Sequence, residues 1–291
     1  MHRLSPHLTW DDAIGREIET EIRRLNADLE QLRPKLSGTV EERLRALPSA
    51  ALDYSSLADC QYSLGRGEGE VLASLRGSHR TYADYCALVR DRVRARGSEE
   101  GTRVNSSFLR NAIFHVLLAK DEAAWPLLLD GTDEVLNAGG LDYGEEFAYV
   151  LQTLRLIVTG KPDIAAEAFQ DAQAAKKGAW QSYLGQWLSK KARMRFESFQ
   201  GTLDHPLGAF LANDPTAFAR DIEAMCDAFD VHARETMAKG KLNWLGRATS
   251  LAWSKEATVY LALARRKGWE VKVDHYAVAR SLLDASPATV A

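Results

Sequence analysis

The side chains that could support catalysis or bind a metal are scattered along this sequence. Its seven histidines and three cysteines show no pair at the spacing of a metal-ligand motif. The motifs H-E-x-x-H, C-x-x-C and G-x-S-x-G are absent, as is a phosphate-binding Walker loop. A metal site would need the fold to bring together His79, Cys86 and His115. We therefore predict no catalytic residue, no metal and no cofactor.

Carboxylates do form a group. They fall in two turn regions that flank a helix end near Val135, and stacked helices would place both regions along one edge. Such an acidic rim could meet a basic partner protein, because complementary charge speeds association and selects the partner. Ordinary solvation of helix-terminal charge is the alternative. The candidate partner-binding residues are Asp130, Asp133, Glu134, Asp142, Glu145 and Glu146.

An enzyme with a dispersed site is a further alternative. His115 lies in the apolar run AIFHVLL, which predicts that it is buried or half-buried. A fold that places Glu145 or Glu146 beside it would create an acid–base pair.

Composition limits the class of protein. The chain has 291 residues and a net charge of −3, which argues against a nucleic-acid binder. An odd number of widely spaced cysteines favours a reducing compartment. The N-terminus lacks the apolar run of a secretory signal, and no stretch is apolar enough to span a membrane. We expect a cytoplasmic protein that binds neither membrane nor nucleic acid.

Two helical patterns broken by one turn form the predicted centre of the fold, residues 141–177. Leu154 and Val158 belong to the apolar stripe of the first helix, and Ala165 to a stripe of small residues in the second. Gly160 can close the first helix and Pro162 can open the second. The stretch therefore predicts an antiparallel helical hairpin on which other helices stack.

The N-terminal part contains two further helix signals. Apolar residues recur at steps of four and three up to about Pro34, which indicates a helix lying on the protein body or, alternatively, a homodimer contact. Thr39 and Glu42 form a capping box that opens a short helix expected to end near Pro48. The apolar seam consists of Ile18, Ile22, Leu25, Leu29 and Leu32.

The C-terminal part repeats one arrangement three times: an apolar helix end, a short turn with an aspartate, and an alanine-bearing helix. Asp121, Asp163 and Asp214 suit helix N-cap positions in these turns. The spacing is irregular, which is typical of a degenerate helical-repeat stack. After the last turn, an apolar seam runs from Phe218 to His232.

Two further signals lie near the C-terminus. Gly268 can end the helix that precedes it, and a last short helix is expected from Tyr276 to Leu283.

Together these patterns predict an all-α protein, an irregular stack of antiparallel helix pairs with at most one short extended segment, near 269–273. We divide the chain into an N-terminal helical region, 1–100, and a C-terminal helical-repeat-like region, 101–291. The charged, glycine-containing loop RARGSEEGTR separates them, and we expect the two to pack as one unit.

From Phe210 onward the sequence resembles the immunity protein 49 family, bacterial proteins that protect a cell from a co-encoded toxin. The resemblance is carried by the turn Leu211-Ala-Asn-Asp214, the helix from Phe218 to His232, and the segment SKEATVYLALARRKGWEVKVDHYAVARSLL. The earlier segment FHVLLAKDEAAW is similar to the family's helix–Asp–helix unit. The family pattern leads us to expect a proline soon after the aromatic residue near the C-terminus. This chain departs from that pattern, because it has His275-Tyr276-Ala277 there.

The resemblance implies inhibition by binding, with no catalytic residues to carry over. We expect an immunity protein that occludes a cognate toxin domain. A helical-repeat scaffold for another protein partner is the main alternative, and an enzyme is the third.

Overall fold

The computed structural model describes residues 12–96, 106–130, 153–179, 205–238 and 252–285. All regular structure in these ranges is helical and no strand occurs within them, which confirms the all-α prediction. A 3₁₀ turn, Glu122–Ala124, precedes the fifth helix. The helices are α1 (Asp12–Leu36), α2 (Val40–Ser63), α3 (Glu68–Arg96), α4 (Ser106–Ala119), α5 (Trp125–Leu129), α6 (153–158), α7 (Pro162–Ala179), α8 (205–211), α9 (Pro215–Ala238), α10 (Lys255–Arg266) and α11 (Arg280–Asp284).

The helices form a stack. In the N-terminal part each helix packs on the next along the chain, from α1 to α4. From the C-terminal part, α10 packs on α4 and α9, and α11 packs on α3, α4 and α10. One apolar core includes residues from both sides of the predicted boundary loop, from Leu47 to Leu283. None of the described helices is long and apolar enough to cross a membrane.

The apolar seam of α1 is buried within the chain itself. Ile18 and Leu25 are fully buried against Leu57 and Cys60 of α2. This confirms the prediction that the helix lies on the protein body. The alternative homodimer contact through α1 stays a prediction, and it would have to use the other faces of the helix.

The capping box is confirmed, but the predicted end of its helix is wrong. Glu42 N–H donates to Thr39 Oγ1 at 3.3 Å, and Thr39 N–H donates to Glu42 Oε2 at 2.8 Å. The helix then continues through Pro48 to Ser63. A proline inside a helix costs about 3 kcal/mol. Here the residues on both sides of it, Leu47 and Ala51 among them, are buried in the core, and that burial offsets the cost.

Close contact between α2 and α3 depends on a glycine. A Cβ on Gly77 of α3 would lie 2.7 Å from Cδ1 of Tyr54 of α2. We expect Gly77→Ala to lower the free energy of unfolding by about 1–3 kcal/mol, because the aromatic ring must shift. Gly15→Ala in α1 is the matched control, since nothing lies within 4 Å of its Cβ position. Urea denaturation measures both, and equal stability of the two variants would contradict the contact.

The three repeated turns share one backbone geometry. Lys120, Gly160 and Asn213 each have positive φ, at 52°, 75° and 57°. The next residue donates its N–H back to the carbonyl five positions earlier, for example Lys161 to Leu156 at 2.9 Å. This is the Schellman arrangement that ends a helix in a left-handed residue.

The N-cap prediction is confirmed for one of the three aspartates, Asp214. Asp214 Oδ1 accepts from the N–H groups of Thr216 and Ala217 at 3.0 and 2.9 Å. Asp121 precedes the 3₁₀ turn, but its side chain makes no capping bond. The prediction for Asp163 is wrong, because Pro162 begins the helix and places Asp163 in its first turn.

The C-terminal part follows the predicted pattern with two corrections. In α9 the buried seam continues from Phe229 to Ala233, four residues on, and leaves His232 exposed. α10 ends before Gly268, whose φ is 83°, as predicted. Residues 269–275 have no regular structure, and the final helix begins at Arg280 instead of Tyr276.

Candidate binding surface

The predicted acidic rim can be placed at only one of its residues. Asp130 directly follows α5, is exposed, and accepts a hydrogen bond from the guanidinium of Arg90 in α3. The same guanidinium lies 3.0 Å from Asp91. Arg90 therefore balances part of the negative charge here. The other rim residues, Asp133, Glu134, Asp142, Glu145 and Glu146, lie outside the described residues, and the rim stays a prediction.

Two histidines are fully buried where α2, α3 and α4 meet. His115 Nδ1 lies 3.0 Å from Ser78 Oγ, and that hydroxyl donates to the Ala51 carbonyl at 2.8 Å. Because the hydroxyl proton is used on Ala51, His115 must donate from Nδ1. His79 Nε2 lies 3.0 Å from Asp121 Oδ2. One nitrogen of each ring is thus tied to a neighbouring part of the chain.

These buried groups have the properties of a packed interior. Burial lowers the pKa of His79 and lowers that of His115 well below its ordinary value. Burial also raises the pKa of the Cys86 thiol to about 12. Among the described residues, no three or more His, Cys, Asp or Glu side chains are grouped as metal ligands. The alternative that pairs His115 with Glu145 or Glu146 involves residues outside the described ranges.

The buried histidines predict loss of stability in mild acid. In the unfolded chain their pKa is about 6.5, above the folded values. Below that pH the unfolded state binds more protons, so stability present at neutral pH is lost as the pH falls. We expect urea denaturation between about pH 7 and 5 to show a loss approaching 1.4 kcal/mol per pH unit from His115, with a further contribution in the same direction from His79. His205 is exposed, so the variant His205→Gln is the control. Its stability should change with pH as that of the wild-type chain does. Constant wild-type stability over this range would contradict the burial of neutral histidines.

A cleft opens between α4, α10 and α11. It has a volume of about 460 Å³. Leucines and an alanine line its floor, and charged side chains stand on its rim. The floor consists of Leu117, Leu118, Ala262, Leu282 and Leu283, and the rim of Lys120, Glu122, Arg265 and Arg266.

The end of α10 positions the two arginines. One face of α10 is buried, including Leu261 and Leu263, while Arg265 and Arg266 in the last turn are exposed. Cations at this end also interact favourably with the helix dipole. Arg265 pairs with Asp284 at 2.8 Å. Arg266 pairs with Glu122 at 3.1 Å.

Lys120 forms the opposite rim of this cleft. Its left-handed backbone ends α4 and turns the side chain towards α11. There Nζ donates to the Leu283 carbonyl at 3.0 Å and also contacts the Ala285 carbonyl. Lysine donors of this kind satisfy carbonyl groups that a helix end leaves unpaired.

Two smaller clefts adjoin the first and share its arginines. The second, of about 250 Å³, lies between α6, α8 and α10 and includes Arg266 and Lys267. The third, of about 210 Å³, includes Arg265, Lys272 and Arg280. We call the three clefts together the α10 surface.

Lys267 is held in the wall of the second cleft by aromatic rings. Its Nζ lies 4.5 Å from the ring centres of both Phe210 and Trp269, and it donates to the Phe210 carbonyl at 3.0 Å. Burial lowers the pKa of Lys267. Cation–π contacts and the carbonyl hold this ammonium group, and no carboxylate from the described ranges forms an ion pair with it.

Within the described part of the chain, cations outnumber acids along the lining of the α10 surface. The two acids are Glu122 and Asp284. The sequence patterns did not reveal this surface, because Lys120 and Arg280 join it only through the fold. The six cations are Lys120, Arg265, Arg266, Lys267, Lys272 and Arg280.

The sequence and structure were compared with known protein families, curated proteins and solved structures. No protein-family model matches the chain, and no match was found among curated proteins or solved structures.

Proposed function

We propose that this chain is a cytoplasmic immunity protein that binds a cognate bacterial toxin and neutralises it by occlusion. One observation carries the proposal: the segment 254–283, which resembles the immunity protein 49 family, also builds most of the α10 surface. That segment contributes Arg265, Arg266 and Lys272 to the charged rim and Leu283 to the apolar floor.

The form of this surface supports binding to a protein. Apolar floors surrounded by charged side chains are typical of protein–protein contacts, where desolvated anchors supply affinity and polar rims supply selectivity. The floor residues belong to packed helices, and Leu282 and Leu283 are themselves in the core. A preformed surface loses little conformational entropy on binding, which favours tight inhibition.

A scaffold or adaptor for another protein would use the same kind of surface. Binding to a toxin therefore distinguishes an immunity protein from a scaffold. Co-expression of this chain with the toxin encoded next to its gene should rescue growth, and the two proteins should co-purify. An unrelated toxin is the control and should remain lethal. Failure of the chain to bind or protect would remove the immunity proposal.

In this proposal the predicted acidic rim is a second contact with the toxin. Reversing two of its charges, Glu145→Lys with Glu146→Lys, should weaken binding to a basic partner by about three- to tenfold and reduce its salt dependence. Titration of the toxin at two salt concentrations measures both effects. Unchanged affinity would remove the rim from the interface.

A further inference from the structure

We infer that the α10 surface binds an acidic segment of its partner protein, one that carries apolar anchor side chains. The inference rests on the proposed function and specifies the chemistry of the contact. It concerns a surface of opposite charge to the acidic rim, so it adds a second requirement on the partner.

The first argument is charge. Within the described ranges, six cations and two acids line the three clefts, and a third acid, Asp274, pairs with Arg280 at 3.4 Å. The cations are thus in excess here, although the whole chain has a net charge of −3. Among the described residues, Lys120, Lys267 and Lys272 have no carboxylate within ion-pair distance. Like charges that converge without enough counter-charge repel one another, and an anionic partner would relieve that repulsion.

The surroundings of Lys120 support this argument. Its ammonium group donates to carbonyls at the end of α11, and the cation Arg265 lines the same cleft. Burial lowers the pKa of Lys120, Arg265 lowers it further, and Asp284 opposes the shift only in part. A partner carboxylate entering the first cleft would face both cations at once.

The second argument is the apolar floor. A free phosphate or a nucleic-acid backbone gains nothing from a cleft of about 460 Å³ floored by leucines. The two rings that could stack on a base, Phe210 and Trp269, are already in contact with Lys267. A protein segment with leucine-like side chains uses both the floor and the rim, as a peptide in a groove does.

The test uses the full chain and a labelled synthetic acidic peptide with regularly spaced leucines, followed by fluorescence anisotropy. Two matched peptides replace either the leucines by serines or the glutamates by lysines. We expect the affinity of the acidic leucine peptide for the chain to be about ten times that of either matched peptide, or higher. Equal binding of the serine peptide, or tighter binding of a DNA duplex or of anionic vesicles, would overturn the inference.

Variants locate the contact. Arg266→Glu with Lys272→Glu should weaken peptide binding about tenfold or more. Arg220→Glu, on an exposed arginine of α9 outside the surface, should leave it unchanged. Circular dichroism checks that each variant is folded. The inference would be overturned if both variants bind the peptide as the wild-type chain does, or if both lose binding to the same extent.

A measurement on the wild-type chain alone avoids dependence on the variants. Carbodiimide activation of the peptide glutamates should couple them to Lys120, Lys267 or Lys272, as mapped by mass spectrometry. Coupling only to lysines outside the α10 surface would overturn the inference. Growth rescue by the wild-type chain separately decides the proposed function, so each idea can fail without the other.

Discussion

Lys255→Met should lower the free energy of unfolding by about 3–5 kcal/mol, because it leaves a buried carboxylate without its cation. Lys255 Nζ lies 2.9 Å from Asp59 Oδ2 and 3.1 Å from Ser55 Oγ. The side chains of Lys255 and Asp59 are only 20% and 13% exposed. The pair joins the start of α10 to α2, so its loss weakens the contact between distant parts of the chain. Urea denaturation measures the change.

Two comparisons make this prediction specific. Arg24→Met removes a cation that pairs with Glu21 at 2.6 Å on the exposed side of α1, and it should cost about 1 kcal/mol or less. Replacing both buried partners, Lys255→Met with Asp59→Leu, should recover most of the loss. Equal costs for the two single variants would contradict the importance of burial.

The sign of the pH dependence provides a further check on the same variant. Burial raises the pKa of Asp59, and Lys255 opposes that effect in the native chain. Without Lys255, the folded carboxyl binds a proton more readily than the unfolded one. The deficit of Lys255→Met relative to wild type should therefore shrink as the pH falls towards about 4. A deficit that grows would contradict this account.

Phe218→Ala should also cost about 3–5 kcal/mol, because it leaves a cavity between α8, α9 and α10. Phe218 is 1% exposed and lies 5.6 Å from Trp269 and 6.2 Å from Phe210, measured between ring centres. This aromatic cluster supports the wall of the second cleft. Thermal unfolding monitored by circular dichroism measures the loss.

Phe218→Leu is the matched control. Leucine fills most of the same volume, so the variant should lose less than half as much stability as the alanine variant. It should also retain the α10 surface and its peptide binding. If the alanine and leucine variants are equally stable, Phe218 does not hold α9 against α10.

Local signals predicted the ends of helices well. The capping box at Thr39, the glycines at 160 and 268 and the N-cap at Asp214 depend on residues within a few positions of one another. Short stretches of sequence determine this geometry, because helix caps and left-handed turns require certain residue types at fixed positions near the helix end.

Where burial decides, local signals were insufficient. The sequence predicted a break at Pro48, but the core around α2 keeps the helix continuous. Likewise Asp121 has the position of an N-cap, yet its carboxylate pairs with His79 and with Arg80 at 3.2 Å. A partner some forty residues away cannot be read from local spacing.

The candidate site was the hardest feature to predict. The α10 surface combines the end of α4, the end of α10 and the segment before α11. Its charge excess is visible only when Lys120 and Arg280 are placed beside Arg265. The sequence suggested an acidic contact surface, whereas the described part of the chain presents a basic one.

Stoichiometric titration of the toxin's activity with the purified chain tests the central claim most directly. The account predicts complete loss of toxin activity at one equivalent of the chain, with recovery when the complex is separated. Loss of activity at far less than one equivalent would indicate an enzyme. Full toxin activity in the presence of excess chain would contradict neutralisation by occlusion.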